Sequence, residues 1–404
     1  MPTVEELAAQ REVRATLEWF RSERSWINEQ HLNLCRIAAP TFFEKERAEW
    51  MAAQFEQLGW EARLDRAGNV VANLRGWRDA SPLAITAHLD TVLAPRAADD
   101  IRSLGEGKLS GPGVSDNGAG LAALLALAAA WKAAAPLADS ELAPLLVATV
   151  GEEGEGNLGG MRYFCRGEKI RKFRGFLVLD GPGVEHITSR ALASRRMEVV
   201  VSGPGGHSWR DSTRPNPVHA LASAVTRFVE RARAESGGKP RASHHVSILE
   251  GGSSINSIPA EALAKADLRS EDAARLAALA ELLTDCASAA VDQENSVSGG
   301  GRVTLRVREI GSRPAGELPS GAPLLETIRA VDQHLGIRSR TDCSSTDANV
   351  PLSLQLPAVS LGVGGQGGGA HTPGEWYSPQ GREQGLSRIL LVSCLMLLLA
   401  PASE

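Results

Sequence analysis

Short apolar runs bounded by glycine and polar residues alternate with longer stretches of helical spacing along this chain. The first 60 residues predict two helices; the second covers 44–58, with Gly59 as its stop. Strand-like runs follow at 61–64 and 69–74, and a compact apolar run at 82–87 leads into His88-Leu89-Asp90. A glycine-rich loop, 111–120, precedes an Ala/Leu-rich helix expected over 121–134. Strands predicted at 145–150 and 176–179 run into Gly151-Glu152-Glu153-Gly154 and Asp180-Gly181-Pro182-Gly183. This rhythm is that of an α/β sheet with helices on both faces, whose ligands gather past the carboxyl ends of the strands.

After about residue 190 the texture changes. A strand at 196–201, a tight turn at Gly203-Pro204-Gly205-Gly206-His207, and a long helix over 217–234 ending before Ser236-Gly237-Gly238 are expected. Strands at 246–250 and 262–269, a helix over 271–290 and a strand at 303–307 complete the set. That content fits a small α+β insertion. The expected organisation is a first part of one domain over 1–190, an inserted domain over 191–305, and the second part of the first domain over 306–404. In that last part a strand at 358–361 leads through a glycine run to His371.

Composition narrows the classes. The 404 residues carry 43 Lys+Arg against 48 Asp+Glu, a net charge of −5, and no basic stripe of the kind a nucleic-acid binder needs. The most apolar stretch, 389–400, is too short for the ~20 residues that span a bilayer and predicts a buried core helix. The amino-terminal segment is charged and helical in pattern without an apolar signal core. The five cysteines, Cys35, Cys165, Cys286, Cys343 and Cys394, form neither a CxxC nor a four-cysteine spacing. A reducing, cytoplasmic setting is the expectation.

Five residues that ligate metals stand at strand ends or in glycine-rich loops: His88, Asp116, Glu153, Asp180 and His371. Each has a plain structural reading: a strand-end HxD, an Asp-Asn-Gly turn, a solvated Glu-Glu pair, a turn aspartate, a loop histidine. As a set they combine imidazoles and carboxylates, which suits zinc, with manganese or cobalt as substitutes. Two metals need a bridging ligand, a role that a carboxylate fills and that fits Asp116. Residues two apart on an extended segment share a face, so Asp90 is placed to accept the free ring N–H of His88. Neighbours diverge, so Glu153 can ligate while Glu152 faces substrate as a general base.

The segments AHLDTV (87–92), GPGVSDNGAG (111–120), GEEGEGNLGG (151–160), LDGPG (179–183), GPGGHS (203–208), INSIPAEALAKADLR (255–269) and GGGAHTPGEW (367–376) run in one order over nearly the whole chain. They resemble the dinuclear-zinc exopeptidase and amidohydrolase family of peptidase T, glutamate carboxypeptidase, succinyl-diaminopimelate desuccinylase and the aminoacylases. The resemblance implies a zinc-exopeptidase α/β fold, a mixed sheet flanked by helices, with an inserted ferredoxin-like lid. It implies that His88 and Asp180 hold one zinc, Glu153 and His371 the other, and Asp116 both, through a cis Asp116–Asn117 peptide. Glu152 would be the base and Asp90 the residue orienting His88. In the lid, His207 would donate to the tetrahedral oxyanion, often across a homodimer interface, and Asn256 and Arg269 would bind substrate, with Arg269 as a carboxylate fork.

The direction of attack stays open. Asp at position 180, with the sequences GVSDNGAG and LDGPG, points toward aminopeptidases and dipeptidases, whereas 256–269 is the version seen in carboxypeptidases and deacylases. The reading is therefore an exopeptidase of small peptides, with an N-acyl-amino-acid amidohydrolase as the alternative. A relative that has lost its metals and serves only in binding is a third, against which the complete ligand set and Glu152 stand.

Overall fold

A computed structural model of the protein describes residues 2–74, 81–137, 142–235 and 240–399. Residues 236–238, where the long helix was expected to have ended, and Ala400 lie outside the described residues. The chain divides into two compact units, one formed by residues up to Ala191 and from Gly316 onward, the other by Leu192–Ala315. The second unit thus ends ten residues beyond the expected 305, because the segment there is one strand, Thr304–Arg313.

A nine-stranded mixed sheet forms the first unit's frame among the described residues. Its centre is parallel: Leu83–His88 lies between Leu145–Thr149 and Gly175–Leu179, and Gly175–Leu179 also pairs parallel with Ala358–Leu361. These four strands are buried along their whole length, which is why they read as continuous apolar runs and not as alternating ones. Antiparallel strands Trp60–Leu64 and Val70–Leu74 close one side, and His186–Ala191 the other. Because the central strands run the same way, the residues after His88, Thr149 and Leu179 emerge along one edge of the sheet.

The helix Gly118–Ala134 is apolar on every side and buried along most of its length. It begins three residues earlier than expected, because the Asn117 side chain caps it by accepting the Gly120 N–H. The expected buried helix near the carboxyl end spans Arg382–Leu398. The first 60 residues hold four helices instead of two: Val4–Ala9, Arg11–Ser22, Arg24–Cys35 and Lys45–Gln57. The breaks fall at Gln10, which is extended, and at Glu23, which caps one helix as it starts the next; no glycine or proline marks either.

The second unit follows a βαββαβ order: Ala193–Ser202, Pro217–Glu235, Ala242–Gly251, Glu261–Ser270, Ala273–Val297 and Thr304–Arg313. Its four strands form an antiparallel sheet with Glu261–Ser270 and Ala193–Ser202 in the middle, the ferredoxin-like arrangement. Val199, Val201, Phe228, Leu268, Leu279 and Leu283 make its core. The turn expected at 203–207 includes a two-residue strand, Gly206–His207, paired with Ser257–Ile258.

Leu390 is completely buried in the last helix. Leu390→Ala is expected to cost about 2–5 kcal/mol, read as a lower urea midpoint at unchanged slope.

Candidate metal centre

The edge of the parallel strands brings the charged residues together. His88 is the last residue of its strand, Glu152 and Glu153 follow Leu145–Thr149 by three and four positions, and Asp180 follows Gly175–Leu179 directly. Asp116 reaches the same place from the glycine-rich loop, and His371 from the loop after Gln366–Gly368. Ligand atoms within 4.8 Å of one another form three groups: His88, Asp116 and Asp180; Asp116, Glu153 and His371; and His88, Glu152 and Glu153. The first two share Asp116. Its Oδ1 lies 3.0 Å from His88 Nε2 and its Oδ2 lies 2.9 Å from His371 Nε2, so its two oxygens serve the two sides. His371 Nε2 is also 2.9 Å from Glu153 Oε1, and His88 Nε2 is 3.9 Å from Asp180 Oδ1.

The electrostatics follow from this crowding. Burial raises the Asp180 carboxyl to about 7, with the Asp116 charge adding to it. Burial also raises Glu153. Burial opposes ionisation of Asp116, but hydrogen bonds from His371 and His88 outweigh it and hold the group below the usual carboxylate range. Burial lowers His88, yet Asp116 and Asp90 overcome this and leave it well above an ordinary imidazole. His371, bonded to Asp116, is raised to about 9. Carboxylates and imidazoles packed this closely share protons among themselves, and the donor set of two imidazoles with several carboxylate oxygens fits divalent zinc, manganese or cobalt.

Asp90 has more than one attachment. The His88 Nδ1 sits 2.9 Å from the Asp90 main-chain carbonyl and 3.5 Å from its carboxylate. The carboxylate also accepts the main-chain N–H groups of Glu152 and Glu153, each at 2.9 Å, and the Thr41 hydroxyl at 2.9 Å. Asp90 therefore stands against His88 and fixes the Glu-Glu turn at once.

Three further residues hold the loops of the centre; Glu375 stands inside the 367–376 segment, whereas His31 and Glu44 lie outside every quoted segment. Glu375, buried, accepts the N–H groups of Gly113, Ser115 and Asp116 at 2.7–2.8 Å, so one carboxylate shapes the Asp116 loop. The same loop is held from the other side by His31, whose Nε2 lies 2.7 Å from the Val114 carbonyl and whose Nδ1 lies 3.0 Å from Arg382 Nη2. Arginine only donates, so His31 Nδ1 accepts and Nε2–H donates to Val114. Glu44 Oε1 accepts both the Phe42 and the Gly151 N–H at 3.0 Å, tying the loop after Pro40 to the turn that carries Glu152. Asn117, on the far side of the cis Asp116–Asn117 peptide, donates to the Leu179 carbonyl beside Asp180.

The remaining expected site residues belong to the second unit. The His207 Nδ1 accepts the Trp209 N–H at 3.2 Å, which leaves the proton of a neutral ring on Nε2. Asn256 Oδ1 accepts the Ser254 hydroxyl at 2.7 Å. The Arg269 Nε and Nη2 both bond Asp267 Oδ2, at 3.0 and 2.9 Å, because residues two apart on a strand share a face.

Imidazole and carboxylate donors thus gather at the carboxyl edge of a parallel sheet, in groups that could hold metal ions. Residues 84–392 match the model of peptidase family M20/M25/M40, and the chain belongs to that family, as a hydrolase acting on peptide bonds. It is 23% identical over 351 residues to the uncharacterized protein YqjE of Bacillus subtilis (strain 168), spanning 83% of this chain and 89% of that protein. The fold is similar to a tripeptidase (SAV1512) from Staphylococcus aureus subsp. aureus Mu50, at TM-score 0.72 and 19% identity, covering 92% of this chain and 98% of that one. It is also similar to the aminopeptidase PepT from Bacillus cereus ATCC 10987, at TM-score 0.69 and 19% identity, covering 93% and 98%.

Two predictions follow from the supporting residues. Glu375→Ala leaves three main-chain N–H groups without their acceptor and is expected to cost about 3 kcal/mol or more of stability. Glu375→Gln keeps one acceptor oxygen and should lose less, and Mn²⁺ affinity by titration calorimetry should fall in the same order. Burial first, then Arg382, lowers His31 from 6.5 to about 3, so the folded state holds it neutral where the unfolded chain binds a proton. Its contribution is present above pH 6.5 and is lost as pH falls toward 3. His31→Gln should accordingly flatten the acid side of the stability curve by up to about 1.4 kcal/mol per pH unit, measured by denaturant unfolding between those limits.

Proposed function

We propose that the chain is a dinuclear metallo-exopeptidase of small peptides, in which His88 and Asp180 hold one cation, Glu153 and His371 the other, and Asp116 both. The observation that carries this reading is the pair of ligand groups sharing Asp116, whose two oxygens face His88 and His371. The proposed cations are Zn²⁺, with Mn²⁺ or Co²⁺ as substitutes, in keeping with the nitrogen and oxygen donors. Bound cations of this kind polarise a carbonyl and lower the pKa of water.

The chain's own groups supply the rest. Glu152 is the proposed general base: it takes a proton from the attacking water and returns it to the departing amine. Its burial and the hold of Asp90 on its N–H support this role, since a base must be fixed relative to the proton it takes. For the second unit we propose that His207 donates its Nε2–H to the developing oxyanion, and that Asn256 and Arg269 contact substrate. The tautomer set by Trp209 supports the first assignment. Closure of this unit as a lid, and self-association through it as a homodimer, belong to the same proposal. The edge strand Ala242–Gly251, with Ile248 and Leu249 exposed, supports self-association.

Two of the similar structures are named a tripeptidase and an aminopeptidase, so free di- and tripeptides are the first substrates to test. An N-acyl-amino-acid amidohydrolase is the second reading, favoured by the Asn256–Arg269 segment. After loading with Zn²⁺, Mn²⁺ or Co²⁺, cleavage that requires a free amino terminus would place the protein with aminopeptidases. Cleavage of N-blocked substrates that requires a free carboxylate would place it with carboxypeptidases or deacylases. Glu152→Gln is expected to lower kcat by about 10²–10⁴ with both metals retained by elemental analysis. Full activity in that variant would remove Glu152 from its role, and activity unaffected by chelators would remove the metals.

A further inference from the structure

Four large apolar side chains stand exposed on two segments that flank Asp90. Phe42 is 65% and Phe43 73% exposed in the loop after Pro40; Val92 is 44% and Leu93 38% exposed just beyond Asp90-Thr91. The two segments run side by side: Pro40 and Thr91 form a parallel bridge, and the Thr91 N–H donates to the Ala39 carbonyl at 3.0 Å. Two polar neighbours, Thr41 and Glu44, turn toward the site. Thr41 donates to Asp90 Oδ2, and Glu44, buried, accepts the N–H of Phe42 and of Gly151. The loop is therefore fastened to Asp90 and to the turn carrying Glu152 and Glu153, while its phenylalanines are left to solvent.

The backbone makes the same point independently. Phe42 has φ +75°, a left-handed conformation that is costly for an aromatic residue. A β-turn with ordinary φ would free the chain of that cost. Here the Glu44 carboxylate holds the Phe42 N–H and the Phe43 N–H donates to the Pro40 carbonyl at 2.8 Å, so both bonds sustain the strained form. Exposed apolar clusters beside convergent polar groups mark ligand grooves.

We propose that Phe42 and Phe43, with Val92 and Leu93, form the specificity wall of the active site, which selects substrates carrying a bulky apolar side chain or acyl chain beside the scissile bond. The occupant is a substrate group, because the wall lies within two residues of Asp90 and of Thr41, which bonds Asp90, and Asp90 in turn holds the amides of Glu152 and Glu153. This proposal rests on the hydrolytic reading above and adds the substrate class to it.

The test compares kcat/KM for matched peptides and N-acyl amino acids that differ only in carrying leucine or phenylalanine against glycine. The metal-loaded protein should prefer the bulky member by on the order of tenfold or more. Phe42→Ala/Phe43→Ala should lose at least about ten times more on the bulky member than on its glycine counterpart. Direct binding of the same pairs to metal-loaded Glu152→Gln, by calorimetry, keeps the two readings apart. No turnover of any pair, with the bulky member still bound more tightly and that preference lost in the triple variant, would defeat the hydrolytic reading and keep the wall. Equal turnover of bulky and small members, or equal losses on both in the variant, would overturn the wall. An intact preference with a changed oligomeric state by sedimentation would assign the patch to contact between copies of the chain and overturn it as well.

Discussion

Everything at this site depends on holding carboxylates closer together than water would let them stand. Asp116, Glu153 and Asp180 converge with His88 and His371 at one sheet edge, and burial limits the solvent that reaches the carboxylates. Charges so placed are tolerated only when paired, protonated or bound to a cation. The opposing shifts of Asp116 and Asp180 are that constraint in operation: the aspartate that both imidazoles reach stays ionised, and the one further from them holds its proton to about 7. The fold supplies the convergence, since parallel strands deliver their carboxyl ends to one edge. It does not supply the precision.

Precision comes from main-chain hydrogen bonds to buried acids. Asp90 fixes the amides of Glu152 and Glu153, Glu375 those of Gly113, Ser115 and Asp116, and Glu44 those of Phe42 and Gly151. Each is a carboxylate that accepts two or more N–H donors, so each loop is held by its backbone. The converging imidazoles and carboxylates are thereby left to face one another. His31 works in the opposite sense, donating to the Val114 carbonyl of the Asp116 loop while Arg382 occupies its other nitrogen. The loop is pinned through its amides on one side and through a carbonyl on the other.

This division explains what could be read in the sequence. The imidazoles and carboxylates that converge were legible as candidates, because each stands at the end of an apolar run or in a glycine-rich loop. The central strands were legible because burial on both faces makes them uninterrupted. The roles of Glu375, His31 and Glu44 were not, since a residue that bonds a distant backbone group leaves no local pattern of its partner; Glu375 stands inside the 367–376 segment, yet it meets Gly113 across 262 positions. The strand Arg340–Ser344 escaped for another reason: it is short and polar at the margin of the sheet. The amino-terminal helices were merged because their boundaries are made by backbone caps at Gln10 and Glu23, which have no glycine or proline to announce them. Asp90 was legible as a neighbour of His88, but its hold on the amides of Glu152 and Glu153, 62 and 63 positions away, was not.

The same economy bears on selectivity. Residues that ligate or position are constrained by one another, so changing one disturbs the rest. Phe42 and Phe43 are bound to that network through their backbone alone, and their side chains are free of it. Substitution there can alter what meets the site without touching the amides that hold Glu152 and Glu153. A strained backbone at Phe42 is consistent with this arrangement, because the Glu44 carboxylate that sustains it also holds Gly151. The Glu44 carboxylate thus serves the Phe42 loop and the turn that carries Glu152 and Glu153 together.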